Sequence, residues 1–264
     1  MIPQGYWADL PSTAFSDLPG TCIAVLPLGA VEQHGPHLPL SVDRDLADEI
    51  VQRMLNTLQH DQSVLVLPTL AITKSGEHDR FPGTLSLGPE TLLAVLRDIG
   101  ASVARAGVTR LVFLNAHGGN IALLEVAGRE LRIKHGMVVA SCSWFGFADY
   151  DGVISAEDLA HDIHAGDIET SAMLAAHPDK VDMGKAQDFR PAMRQWNAQF
   201  EYIGLNGQPA RPAWIADDLH VDGACGDAAA ATPAKGEHLL TTASTGFAAF
   251  LAEFSHFDLA GRVE

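Results

Sequence analysis

Four short, continuous apolar runs alternate with segments of helical period, and this alternation restricts the chain to few architectures. The runs cover residues 22–28, 63–67, 110–114 and 137–140. None alternates apolar with polar residues, so each is predicted to be a strand buried on both faces. After the first run, Asp43 opens a helical pattern through Leu46, Ile50, Met54 and Leu55. Asp45 and Asp48 occupy its first turns, where the helix dipole favours acids. Pro89 stands at a first helical position, ahead of Leu92, Val95, Leu96, Ile99 and Val103. Asn120 is predicted to cap a third helix that ends at Gly136. Together these signals predict an α/β chain with a parallel sheet covered on both faces.

At 264 residues the chain can build one large α/β domain or two small ones. A net charge of −16 argues against nucleic acid or an anionic membrane as partner. The three cysteines are widely spaced and form no C-x-x-C pair, which points to a reducing cytoplasm. No basic-then-apolar leader is evident, and no apolar run approaches the length of a membrane span. Residues 185–225 lack any clear period and are read as an excursion, a lid or an oligomer contact. Residues 232–254 return to a helical pattern that packs back on the sheet.

The chemistry concentrates in loops after the strands, where open parallel sheets bind ligands. The first loop holds Glu32, His34, His37 and Asp43 within twelve residues, punctuated by Gly and Pro. Glu32 and His34 are two apart, so in an extended segment both face one pocket. Oxygen and imidazole donors without thiolate suit Zn, Mn or Fe. His117 follows the third run directly, with Gly118 and Gly119 behind it to admit close backbone approach. Glu169 shares a helix face with Ala172, Met173 and Ala176; a carboxylate in an apolar stripe needs a metal or an ion pair. His164 precedes that helix and is free for acid–base work or substrate binding. Ser75, Glu77 and His78 form a polar loop suited to substrate or subunit contact.

These motifs, in order, resemble the creatininase family. The resemblance is carried by residues 28–39 with Asp43; Ser75-Gly76-Glu77-His78 with Phe81-Pro82-Gly83-Thr84; Asn115 to Asn120; His164-Ala165-Gly166 with Glu169-Thr170-Ser171; and Gly226-Asp227 with Lys235-Gly236. It implies one α/β/α sandwich domain, residues 1–264, around a mainly parallel sheet. It also implies a homohexamer, a small-molecule substrate and two divalent ions, with Zn first and Mn or Fe next. Glu32 and His117 would hold one ion, His34 the other, and Asp43 would bridge them. His164 would be the catalytic histidine. One departure matters: creatininase itself has His-Tyr-Glu where this chain has His117-Gly118-Gly119, and that Glu is a metal ligand. Glu169 is the candidate to complete the second ion's shell and support catalysis, and Gly118 joins Ser75, Glu77 and His78 as a candidate substrate contact. The His-Gly-Gly-Asn form is closer to family branches such as formamidopyrimidine deformylases and the mycofactocin-maturation peptidase.

The function expected is hydrolysis of C–N bonds in a small cyclic or linear amide by water activated at two metals. Three alternatives keep the fold: cleavage of a C–C bond in a cyclic ketone or cyclitol, a peptidase or deformylase of the same family, and a non-catalytic metal- or ligand-binding protein. A nucleotide-binding α/β protein is disfavoured, since neither G-x-G-x-x-G nor a phosphate loop is present.

Overall fold

The computed structural model describes residues 3–205 and 207–259. The expected domain span also covers residues 1, 2, 206 and 260–264, which lie outside the described residues. Five parallel strands form the central sheet: β1 (Gln4–Tyr6), β2 (Ile23–Leu28), β3 (Val64–Val66), β4 (Arg110–Asn115) and β5 (Val138–Ser143). Their order is β1-β3-β2-β4-β5. β2 and β4 lie side by side over six residues, from Ile23 beside Arg110 to Leu28 beside Asn115. The chain leaves β2 toward β3 on one side, then crosses back to β4 on the other. The carboxyl ends of β2 and β4 therefore border the topological switch point, where such sheets open a crevice.

The helices form two layers. On one face Ile23, Val25, Val64, Val66, Val112 and Leu114 pack under α1 (Val42–Leu55), α5 (Asp167–Ala176) and α8 (Pro233–His256). On the other, Ala24, Leu26, Leu65, Leu111 and Phe113 pack under α2 (Pro89–Arg105) and α3 (Ile121–His135). The apolar runs do not alternate because both faces of each strand are covered. The sandwich is thus α/β/α, with every pairing in the five-stranded sheet parallel. Short elements complete the described chain: α4 (Ala156–Leu159), α6 (Met193–Gln199), α7 (Ala216–Leu219) and an antiparallel pair of β6 (Asp188–Phe189) with β7 (Gly226–Asp227).

One strand lies outside the sequence reading, and one local expectation needs correction. β1 carries no apolar signal and escapes a sequence reading; Gln-Gly-Tyr is a three-residue edge strand with partly exposed side chains. Asn120 precedes α3 but makes no side-chain cap. Its amide instead donates to Gly29 O at 3.4 Å and Asn115 Oδ1 at 3.2 Å, which ties the His117 loop to the end of β2.

Close helix packing sets one strict requirement. α5 meets α8 at Gly236, where a Cβ would lie 1.8 Å from Ser171 O. Backbone cannot yield there as a side chain can. Gly236→Ala is expected to destabilise the fold by about 3 kcal/mol, or roughly 8 °C in Tm, measurable by thermal unfolding.

Candidate metal centre

Glu32 and His34 sit in the loop after β2, Asp43 in the first turn of α1, His117 just after β4, and Glu169 in the first turn of α5. Gly29 allows the first of these approaches. A Cβ there would lie 2.5 Å from the backbone nitrogen of Arg44, so only glycine lets α1 start against the end of β2. All five side chains are buried, and they converge. His34 Nε2 lies 3.1 Å from Asp43 Oδ1 and 3.7 Å from Glu169 Oε2. His117 Nδ1 lies 3.2 Å from Glu32 Oε1 and 3.3 Å from Asp43 Oδ2.

Two donor groups result. Glu32, Asp43 and His117 each place one ligand atom within 4.8 Å of the others, and so do His34, Asp43 and Glu169. Asp43 belongs to both. Glu32, His34 and His164 form a third, overlapping group.

The hydrogen bonds behind these atoms orient the rings. His34 Nδ1 donates to Glu32 O at 3.0 Å, leaving Nε2 for the centre. His117 Nε2 donates to Lys74 O at 2.9 Å, leaving Nδ1 for the centre. A backbone carbonyl on one ring nitrogen is the usual way a metal-binding imidazole is held in the correct tautomer. Two carboxylate oxygens, Glu32 Oε1 and Asp43 Oδ2, are buried without a hydrogen-bond partner. Buried charge without a partner is costly. Both atoms belong to the Glu32–Asp43–His117 cluster, so the donor set fits a divalent cation.

The electrostatics agree. Burial opposes charge on His34, yet Asp43, Glu169 and Glu32 outweigh it and hold the ring at about 9. His117 is likewise raised, burial being overcome by Glu32 and Asp43. Asp43 is held well below the usual carboxylate range, its burial outweighed by His34 and His117. Glu169 is pushed up to about 7 by burial. These protons stand where cations would otherwise balance three buried carboxylates.

His164 differs from the other two rings. Its Nε2 donates to Gln33 O at 2.7 Å, and its Nδ1 faces Glu32 Oε1 at 3.6 Å. Burial, then the neighbouring His34 and His78, lower its basicity well below the ordinary value. This lowered basicity favours the neutral ring, with Nδ1 turned toward Glu32. Backbone bonds to Cys225 fix the segment. Ala165 next to it adopts φ 56°, a strained value for a residue with a side chain. That turn aims the Ala165 N–H at Glu169 Oε2, 2.6 Å away.

Ser75 and His78 support the site from behind Glu32. Ser75 Oγ donates to Glu32 Oε2, and His78 Nε2 lies 3.4 Å from Glu32 Oε1. Ser75 therefore holds the Glu32 carboxylate and is not among the residues lining the neighbouring cavity, whereas Glu77, His78 and Gly118 do line it. A Cβ at position 119 would fall 2.1 Å from Glu77 Oε1, so Glu77 occupies the space a longer residue at 119 would need.

Sequence reasoning passed over two contributors. The Gln33 side-chain amide reaches His78 Nδ1 at 2.7 Å and Gly223 O at 3.0 Å. Local spacing hides it, because its partners His78, His164 and Gly223 lie 45 to 190 residues away. Asp162 accepts from the Ile168 N–H at 3.1 Å, and burial raises its carboxyl to about 8. Its only signal is a place two residues before His164.

The chain is similar to known proteins along most of its length. A family model described as creatininase, creatinine amidohydrolase, matches residues 8–251. A mycofactocin precursor peptide peptidase from Mycobacterium ulcerans is 36% identical over 217 residues, covering 76% of this chain and 81% of the relative. A creatinine amidohydrolase from Pseudomonas putida is 36% identical over 189 residues, covering 66% of this chain and 71% of the relative. A solved structure of creatininase with Mn superposes with a TM-score of 0.73 at 28% identity, covering 96% of this chain and 99% of that one. The chain therefore belongs to the creatininase family of amidohydrolases.

Proposed function

We propose that the chain hydrolyses a C–N bond of a small cyclic or linear amide at a binuclear metal centre. The observation that carries this reading is Asp43, shared by two donor groups whose imidazoles each meet a backbone carbonyl with one ring nitrogen and turn the other to the centre. Glu32, Asp43 and His117 would hold one ion, and His34, Asp43 and Glu169 the other. Zn suits these donors, as do Mn and Fe. When bound, such ions lower the pKa of water and polarise a carbonyl.

The protein's own part is proton transfer and orientation. His164 Nδ1 accepts a proton from the attacking water as its oxygen bonds the carbonyl carbon. The same nitrogen delivers that proton to the leaving nitrogen as the C–N bond breaks. The hydrogen bond to Gln33 O keeps the ring turned toward this task. Ser75 and His78 hold the Glu32 carboxylate in place.

Dialysis against a chelator tests the proposal. Stripped protein should lose turnover of lactams, formamides and small peptides, and Zn or Mn should restore it; full turnover by metal-free protein would refute the reading. Acidity should matter in a defined direction. In the ion-free chain His34 keeps its proton up to about pH 9, and an incoming ion must displace it. Apparent metal affinity should therefore rise with pH up to about 9, by about tenfold per unit for each proton displaced. The raised His34 value stabilises the ion-free fold fully below pH 6.5, and that contribution is lost as pH climbs through about 9. Titrations followed by calorimetry would show both trends.

A further inference from the structure

Two cavities border the candidate metal centre, and both are lined by His117 and His164. The first, of about 260 Å³, reaches Asp43 and Glu169 and is lined by Phe145, Tyr150, Leu159 and Ile168. The second, of about 400 Å³, reaches Glu32 and is lined by Lys74, Glu77, Arg211 and Trp214. Their common wall includes Gly118, Ile121 and Ile163. A Cβ at position 118 would meet no atom within 4 Å, so the space beside this residue is open to both cavities.

The two sides differ in chemistry. Away from the centre, the first presents aromatic and aliphatic surface, with Ser143 and Asp162 among it. The second presents two cations, Lys74 and Arg211, and two carboxylates, Glu32 at the centre and Glu77 beside Lys74. Lys74 is paired with Glu77, whereas Arg211 is exposed and makes no ion pair among the described residues. In a chain of net charge −16 an unpaired guanidinium at a cavity mouth is a specific attraction for an anion.

We infer that the substrate is a linear amide spanning both cavities, with an apolar half against Phe145 and Tyr150, an anionic half against Arg211, and the scissile bond beside Gly118. Gly118 is then a specificity-determining residue: its missing side chain keeps the two cavities joined. This inference rests on the hydrolytic reading above and narrows its substrate class.

The test uses metal-loaded full-length protein with N-benzoylglycine, its reversed analogue N-benzylmalonamic acid, neutral benzamide and formamide. At least one of the two anionic amides should exceed benzamide in kcat/KM by about tenfold. Gly118→Phe needs no strained backbone, since Gly118 does not adopt positive φ. It should lower kcat/KM for that amide by about 100-fold and for formamide by far less, because formamide reaches into neither cavity. Arg211→Gln should remove the preference by bringing kcat/KM for the anionic amide down toward that for benzamide. Binding of benzylsuccinate, which has both halves and no scissile bond, reads the cleft without turnover, and should weaken about tenfold in each variant. Equal loss on formamide and the long amide in Gly118→Phe would overturn the inference, as would benzylsuccinate binding unchanged by both substitutions. If formamide is hydrolysed but neither anionic amide is preferred, the inference fails and the hydrolytic reading survives. If nothing is hydrolysed although benzylsuccinate binds as described, the hydrolytic reading fails and the bipartite cleft stands.

Discussion

Replacing Asp43 by Asn is expected to lower bound metal from about two ions per chain to one or none, and kcat by at least about a thousandfold. Asp43 is the carboxylate common to both donor groups. Its two oxygens face different imidazoles, Oδ1 toward His34 and Oδ2 toward His117. The amide keeps the shape and removes the charge. One of its two positions also becomes an N–H donor aimed at a site built for cations. Metal analysis of the purified variant beside steady-state kinetics checks the result. Full metal content with normal turnover would remove Asp43 from the centre.

His164→Ala should behave differently. Turnover is expected to drop by about a hundred- to ten-thousandfold, the usual range for a lost acid–base group. Bound metal should stay at the wild-type level, because both Asp43-centred groups are complete without this ring. Loss of metal together with activity would instead make His164 a ligand, through the group it forms with Glu32 and His34. The pH profile adds a second readout. A base of lowered basicity stays neutral and competent into the acid range, so the acidic limb of the wild-type profile should not arise from His164.

Much of this architecture is legible in the residues themselves. Continuous apolar runs such as residues 22–28 announce strands covered on both faces, and Pro89 and Gly136 mark helix ends that the structure keeps. β1 is invisible because an edge strand of three residues needs no apolar face. Glu32, His34 and Asp43 stand out because they crowd one loop. Glu169 stands out because a carboxylate on an apolar stripe must find a partner. The rest depends on contacts across long stretches of chain. Gln33 meets Gly223 across 190 residues, and the His117 tautomer is set by a carbonyl 43 residues away. Such bonds leave no trace in local spacing. The charged mouth is equally hidden, since Arg211 lies in the aperiodic 185–225 stretch and finds its place only through folding.

Anomalous scattering from crystals grown with Mn or Zn addresses the central claim most directly. Two peaks are expected, one among Glu32, Asp43 and His117 and the other among His34, Asp43 and Glu169. Absence of both peaks at saturating metal, or ions bound only elsewhere on the chain, would contradict it.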